Sequence, residues 1–103
     1  MLVDKNLLKN IGEHIQKARI LRRLTHQELA DRALITRQTI AKIERGGSTT
    51  TSNFIKVIWA LSLDDALINS IAPENDSLGR SLAFGRLPKR VKKPSPDNEN
   101  GEF

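Results

Sequence analysis

The sequence predicts an all-α domain of five helices followed by a flexible basic C-terminal arm, on three grounds. Apolar residues recur at the three-four spacing of a helix face. Start and stop signals for short helices follow one another closely: Thr25 with Glu28, Thr36 with Gly46, and the threonine run 48–51. No segment alternates apolar and polar residues as a half-buried strand does.

Each element has its own justification. Over residues 7–22, Leu8, Ile11, Ile15, Ala18 and then Leu21 or Arg22 describe one buried face. Residues 25–33 form a second helix, with Thr25 as N-cap, Glu28 placed to close a capping box, and Leu29, Ala30 and Ala33 inward. Residues 36–45 form a third, capped by Thr36, stopped by Gly46 and held by Ile40 and Ile43. The fourth, about 52–61, is apolar on most sides, so it is core or partner interface. Trp59 within it reads as core, with a dimer edge as the alternative, because a buried indole N–H needs a partner. Ser62 reads as the cap of a fifth helix with Asp64 and Asp65 in its first turn, where carboxylates suit the positive helix end. Pro73 stops further propagation. Residues 77–87 carry Leu78, Leu82, Ala83 and Phe84 at roughly helical spacing, interrupted by two glycines, and read as a short helix or ordered arm. The remainder is disordered by composition. This places a helical domain at 1–73 and a partly disordered arm at 74–103.

A chain of 103 residues is one domain's worth. An ordered core of roughly 70–80 residues lies near the lower size limit for independent stability, so dimerisation would help. With no cysteine, disulfides, thiolate metal sites and cysteine nucleophiles are excluded. No Ser-His-Asp set, glycine-rich phosphate loop or metal-ligand cluster is present, so neither an enzyme, a cofactor nor a metal is expected. No apolar run spans a membrane, and the N-terminus lacks a signal pattern. A bacterial cytoplasmic protein is the expectation.

The formal charge is +5, which suggests a polyanionic partner without proving one. Residues 1–73 carry +4, residues 74–85 −1, residues 86–93 +5 and residues 94–103 −3. The basic run Arg86, Lys89, Arg90, Lys92 and Lys93 suits a solubilising tail, an arm along phosphate or in a minor groove, or, with Leu87 and Val91 interleaved, a partner-docking strip.

Only Leu34 and Ile35 separate the second and third helices, and small Ala30 sits where they cross. That is a helix-turn-helix. Its second helix lies in the major groove with its N-terminal residues against base edges. Arg37, Gln38 and Thr39, which on an isolated helix would read as a solvated face, then become base or phosphate contacts. Arg suits guanine, Gln suits adenine, and Thr offers a hydroxyl or a methyl. Lys42 lies one turn later as a phosphate contact. Thr36 caps and can touch phosphate, and His26 and Gln27 open the second helix, where phosphate contacts gather. His14 reads as a surface residue.

The run LTHQELADRALITRQTIAKIERGG resembles the Cro/C1-type (XRE-type) helix-turn-helix regulators. Leu24, Thr25, Glu28, Leu29, Ala30, Ile35, Arg37, Thr39, Ile40, Ile43, Glu44, Arg45 and Gly46 stand in matching places. The resemblance covers about residues 7–63 and implies a lambda-repressor-like domain in which Arg19 pairs with Glu44. Three positions depart from the pattern: His26 stands for the usual Gln, and Leu34 and Arg23 for usual glycines. Beyond this, IWALSLDDALINSIAP and SLGRSLAFGRLPKRVKK resemble the HipB-like antitoxins encoded beside HipA-type kinases. That implies a homodimer on palindromic double-stranded operator DNA which contacts a HipA-like kinase toxin or its companion subunit. The competing reading is a protein-binding adaptor for such a kinase, with DNA secondary.

Overall fold

The computed structural model describes residues 5–85 and contains six α-helices and one 3-10 turn, with no strand among the described residues. The helices are α1 (Lys5–Leu21), α2 (His26–Ala33), α3 (Arg37–Glu44), α4 (Thr51–Ala60), α5 (Asp64–Ile71) and α6 (Ser77–Gly85), with the 3-10 turn at Pro73–Asn75 between the last two. Two compact units divide between Ile68 and Asn69, within α5. The basic residues Arg86, Lys89, Arg90, Lys92 and Lys93 lie outside the described residues.

In the first unit, α2 packs on both α3 and α4, and α1 packs on α3. Leu29, Ile40, Val57 and Leu61 are fully buried at the centre, with Ile15, Ala30, Ala33, Ile43 and Ile58 around them. The short helices α2, α3 and α4 each start at a side-chain cap. Thr25 accepts from the Glu28 amide while Glu28 Oε1 accepts from the Thr25 amide, the reciprocal box expected from their spacing. Thr36 accepts from the Thr39 amide and Thr50 from the Asn53 amide. Four extra amide bonds for helices this short matter, because isolated helices of eight to ten residues do not hold in water.

Gly12 was not singled out by sequence, yet it sets the spacing of α1 and α3. A Cβ there would lie 2.5 Å from the Ile43 carbonyl oxygen and 2.6 Å from that of Glu44. Both obstacles are backbone, so neither can swing away. Gly46 ends α3 at φ +86, a left-handed conformation natural to glycine.

The other helix ends are less orthodox. Arg23, Leu34 and Ser62 all have φ near +60. Arg23 donates to the Ile20 carbonyl and Leu24 to that of Arg19. Ser62 and Leu63 repeat the pattern on Trp59 and Ile58, and Ile35 donates to Ala30 after Leu34. These paired bonds satisfy the last carbonyls of α1, α4 and α2. The turn therefore keeps a glycine-type backbone at Leu34 even though the side chain disfavours it by about 1 kcal/mol. Leu34 is 82% exposed, so its side chain contributes little packing. Leu34→Gly is expected to stabilise the domain by roughly 0.5–1 kcal/mol. Chemical denaturation would show a higher midpoint at unchanged slope, and a lower midpoint would refute the strain argument.

The structure differs from the sequence expectation at Ser62, at Trp59 and at the end of α1. Ser62 does not cap α5. It closes α4 in the left-handed conformation, and the Leu63 carbonyl accepts the first bond of the next helix, from Leu67. Trp59 is not core but 60% exposed, since Val57, Ile58, Ala60 and Leu61 take the inward face of α4 and its end. At the end of α1 the inward position belongs to Arg19, four residues after Ile15, while Leu21 is 80% exposed and Arg22 is also exposed.

The second unit is short. The 3-10 turn and α6 pack together, and Asp76 caps α6 by accepting from the Gly79 amide at 2.9 Å. Arg80 reaches back to the Glu74 carbonyl at 2.6 Å. The helical reading of residues 77–87 thus holds for Ser77–Gly85.

Candidate nucleic-acid interface

The opening of α3 presents two long donors side by side. Arg37 and Gln38 are exposed, while Ile40 and Ile43 turn the opposite side of the same helix into the core. Lys42 follows Gln38 by one turn and is also exposed. Its stem runs against Gly47, where a Cβ would lie 2.6 Å from Lys42 Cγ. Glycine at 47 leaves room for the lysine stem, whose Cγ and Cε both pass beside it.

Thr36 and Thr39 form a small unit. Besides its capping bond, the Thr36 hydroxyl lies 2.8 Å from that of Thr39. Thr36 is exposed and Thr39 half-buried. The hydroxyl pair fixes both rotamers, so the Thr39 methyl has a defined direction. A threonine pair three apart on one helix is the sequence signal for such a bond.

At the start of α2, the Gln27 amide nitrogen donates to Asp31 Oδ1 at 2.8 Å, so Gln27 sits beside a carboxylate on its own helix. His26 behaves differently, because it turns toward α3. Its Nε2 lies 2.9 Å from Glu44 Oε1.

Glu44 is the centre of the arrangement. Its side chain is 3% exposed, and Arg19 meets it with two bonds, Nε to Oε2 at 2.7 Å and Nη2 to Oε1 at 3.1 Å. The third Arg19 nitrogen, Nη1, donates to the Leu24 carbonyl at 2.8 Å. The pairing of Arg19 and Glu44 implied by the resemblance is present. The guanidinium therefore ties α1, the turn after it and the end of α3 together, and His26 adds α2 to the same carboxylate. A planar fork on a carboxylate is the geometry that fixes orientation as well as charge.

The charge of this segment is lopsided. Residues 15–62 hold nine Lys or Arg and three Asp or Glu. All three acids are engaged: Glu28 in its capping box, Asp31 with Gln27, and Glu44 with Arg19 and His26. Of the bases, Arg19 is buried, and Arg37 and Lys42 belong to the exposed side of α3. A positive surface with preset donors on one short helix is what a phosphate-lined groove requires. His14, on α1, is exposed and stands apart from this cluster of contacts.

Among the described residues, no helix is long and apolar enough to cross a membrane. A search of curated proteins finds no match to the chain. Residues 15–62 match the helix-turn-helix family model, and the match, together with the α2–turn–α3 geometry, supports a DNA-binding, transcription-regulating helix-turn-helix domain in this segment.

Proposed function

We propose that the chain is a sequence-specific repressor that binds palindromic operator DNA as a homodimer, and is the antitoxin and autorepressor of a HipA-like toxin–antitoxin operon. The observation that carries the DNA reading is the division of α3 into a buried Ile40–Ile43 side and an exposed Arg37–Gln38–Lys42 side directly after a tight turn. In this reading Arg37, Gln38 and Thr39 face base edges, and Lys42, Thr36, His26 and Gln27 face phosphates.

The dimer has separate support. Ile55 and Trp59 lie one turn apart on α4 and are 43% and 60% exposed, and Ile68 on α5 is 62% exposed. Trp59 also lines a shallow open hollow with Arg32, Ala60, Ser62 and Asp64. An exposed tryptophan with aliphatic neighbours and a polar rim is the composition of an interface centre. The antitoxin assignment rests on the resemblance of residues 58–73 and 77–93 to HipB-like chains.

Fluorescence anisotropy against the DNA upstream of the chain's own reading frame, beside random DNA of equal length, tests the proposal. Specific binding ~10³-fold or more above random, falling steeply with salt, is the expected result. Equal weak binding to both would favour the adaptor reading. Adding the kinase encoded alongside would then show whether partner binding survives without Arg37 and Gln38.

A further inference from the structure

Resting on the reading of the α2–α3 side as the DNA-facing side, we infer that His26 is a proton-gated phosphate donor, held in one orientation by Glu44. An ionised carboxylate only accepts hydrogen bonds, so the short contact between His26 Nε2 and Glu44 Oε1 requires the proton on Nε2. In the neutral ring, Nδ1 is then a bare lone pair. It cannot donate to a phosphate oxygen and repels one.

Protonation changes only that atom. Nε2–H stays on Glu44, and Nδ1 becomes a charged donor at the first position of α2, beside opening amides that have no partner within the helix. The His26 side chain is 37% exposed, enough for one edge to meet solvent or phosphate while the other stays on a carboxylate that is 3% exposed. A glutamine, usual at this place in the pattern the chain resembles, donates at every pH. Histidine donates only when charged.

The charged groups near this ring come from four helices. From α3 comes Glu44, with Arg37, Lys42 and Arg45 elsewhere on that helix and its end. From α1 comes Arg19, already committed to Glu44. On α2 itself, Glu28 is committed to the Thr25 amide and Asp31 to Gln27, and Arg32 lies toward the far end. Within α4 the titratable residue is Lys56. Because the charged ring binds phosphate and the neutral ring does not, DNA binding takes up a proton at His26. Affinity therefore rises as pH falls.

The phosphate contact is independent of sequence, so the test uses both a random duplex and the upstream DNA. Anisotropy is measured from pH 5.5 to 8.5 at fixed low salt. The parent should bind about tenfold more tightly at the acid end, the worth of one charge-assisted hydrogen bond. His26→Gln should be flat over the range. His14→Gln, at the chain's other histidine, should keep the parent's slope. A flat parent, or a slope that survives His26→Gln, overturns the inference. A His26-dependent slope on both duplexes with no preference for the upstream DNA would leave the inference standing and remove the operator reading. Absence of binding to either duplex removes both. In the unaltered chain, an NMR titration of the His26 ring supplies a second readout. Added duplex should raise its midpoint, and an unmoved midpoint refutes the coupling.

Discussion

Arg37→Ala with Gln38→Ala is expected to reduce operator binding to the level of random DNA while leaving the melting temperature within a degree or two of the parent. The two halves of this expectation come from the same helix. Arg37 and Gln38 are exposed, and the cap of α3 depends on Thr36, not on them. Their removal takes nothing from the core, and alanine favours a helix. The loss on DNA is large. A bidentate side-chain contact to a base contributes about 1–3 kcal/mol of discrimination. Two such side chains in each half of a dimer approach the whole gap of about 4–10 kcal/mol between specific and non-specific binding. The residual, salt-dependent affinity should remain, since Lys42 and the other bases are untouched. Double variants that bind the operator like the parent would show that α3 is not the reading helix.

The same helix shows which parts of this protein a sequence reveals. Local chemistry was readable: the Thr25–Glu28 box, the Thr36 cap, the Gly46 stop and the Ile40–Ile43 side all follow from side-chain type and spacing within about ten residues. Positions decided by a neighbouring helix were not. Gly12 looks like any mid-helix glycine until the Ile43 and Glu44 carbonyls arrive against it. The bond from His26 to Glu44 joins residues 18 apart, and nothing local marks either as the other's partner. Trp59 was misread because an apolar helix offers more apolar faces than one small core can cover. Only packing decides which face stays outside. Ser62 was misplaced because serine is a common N-cap, whereas here its backbone serves the preceding helix in a conformation serine seldom adopts.

Glu44→Ala should be severely destabilising. The carboxylate is buried, and so is the guanidinium it holds, Arg19 being 8% exposed. Alanine would leave that charge with the Leu24 carbonyl alone and would free His26 as well. Removing one partner of a buried ion pair costs about 3–5 kcal/mol. Total stabilities run about 5–15 kcal/mol, and a domain this small belongs toward the lower end. The variant is therefore expected to be largely unfolded near body temperature by circular dichroism. The pair's value lies in geometry more than net energy, because two charges pay desolvation before they attract. Replacing both, as in Arg19→Met with Glu44→Leu, should consequently recover much of the loss, and the double-mutant cycle should show strong coupling. A Glu44→Ala protein within about 1 kcal/mol of the parent would mean that water reaches Arg19 readily, and that the junction of α1, α2 and α3 is held by its apolar contacts rather than by this carboxylate.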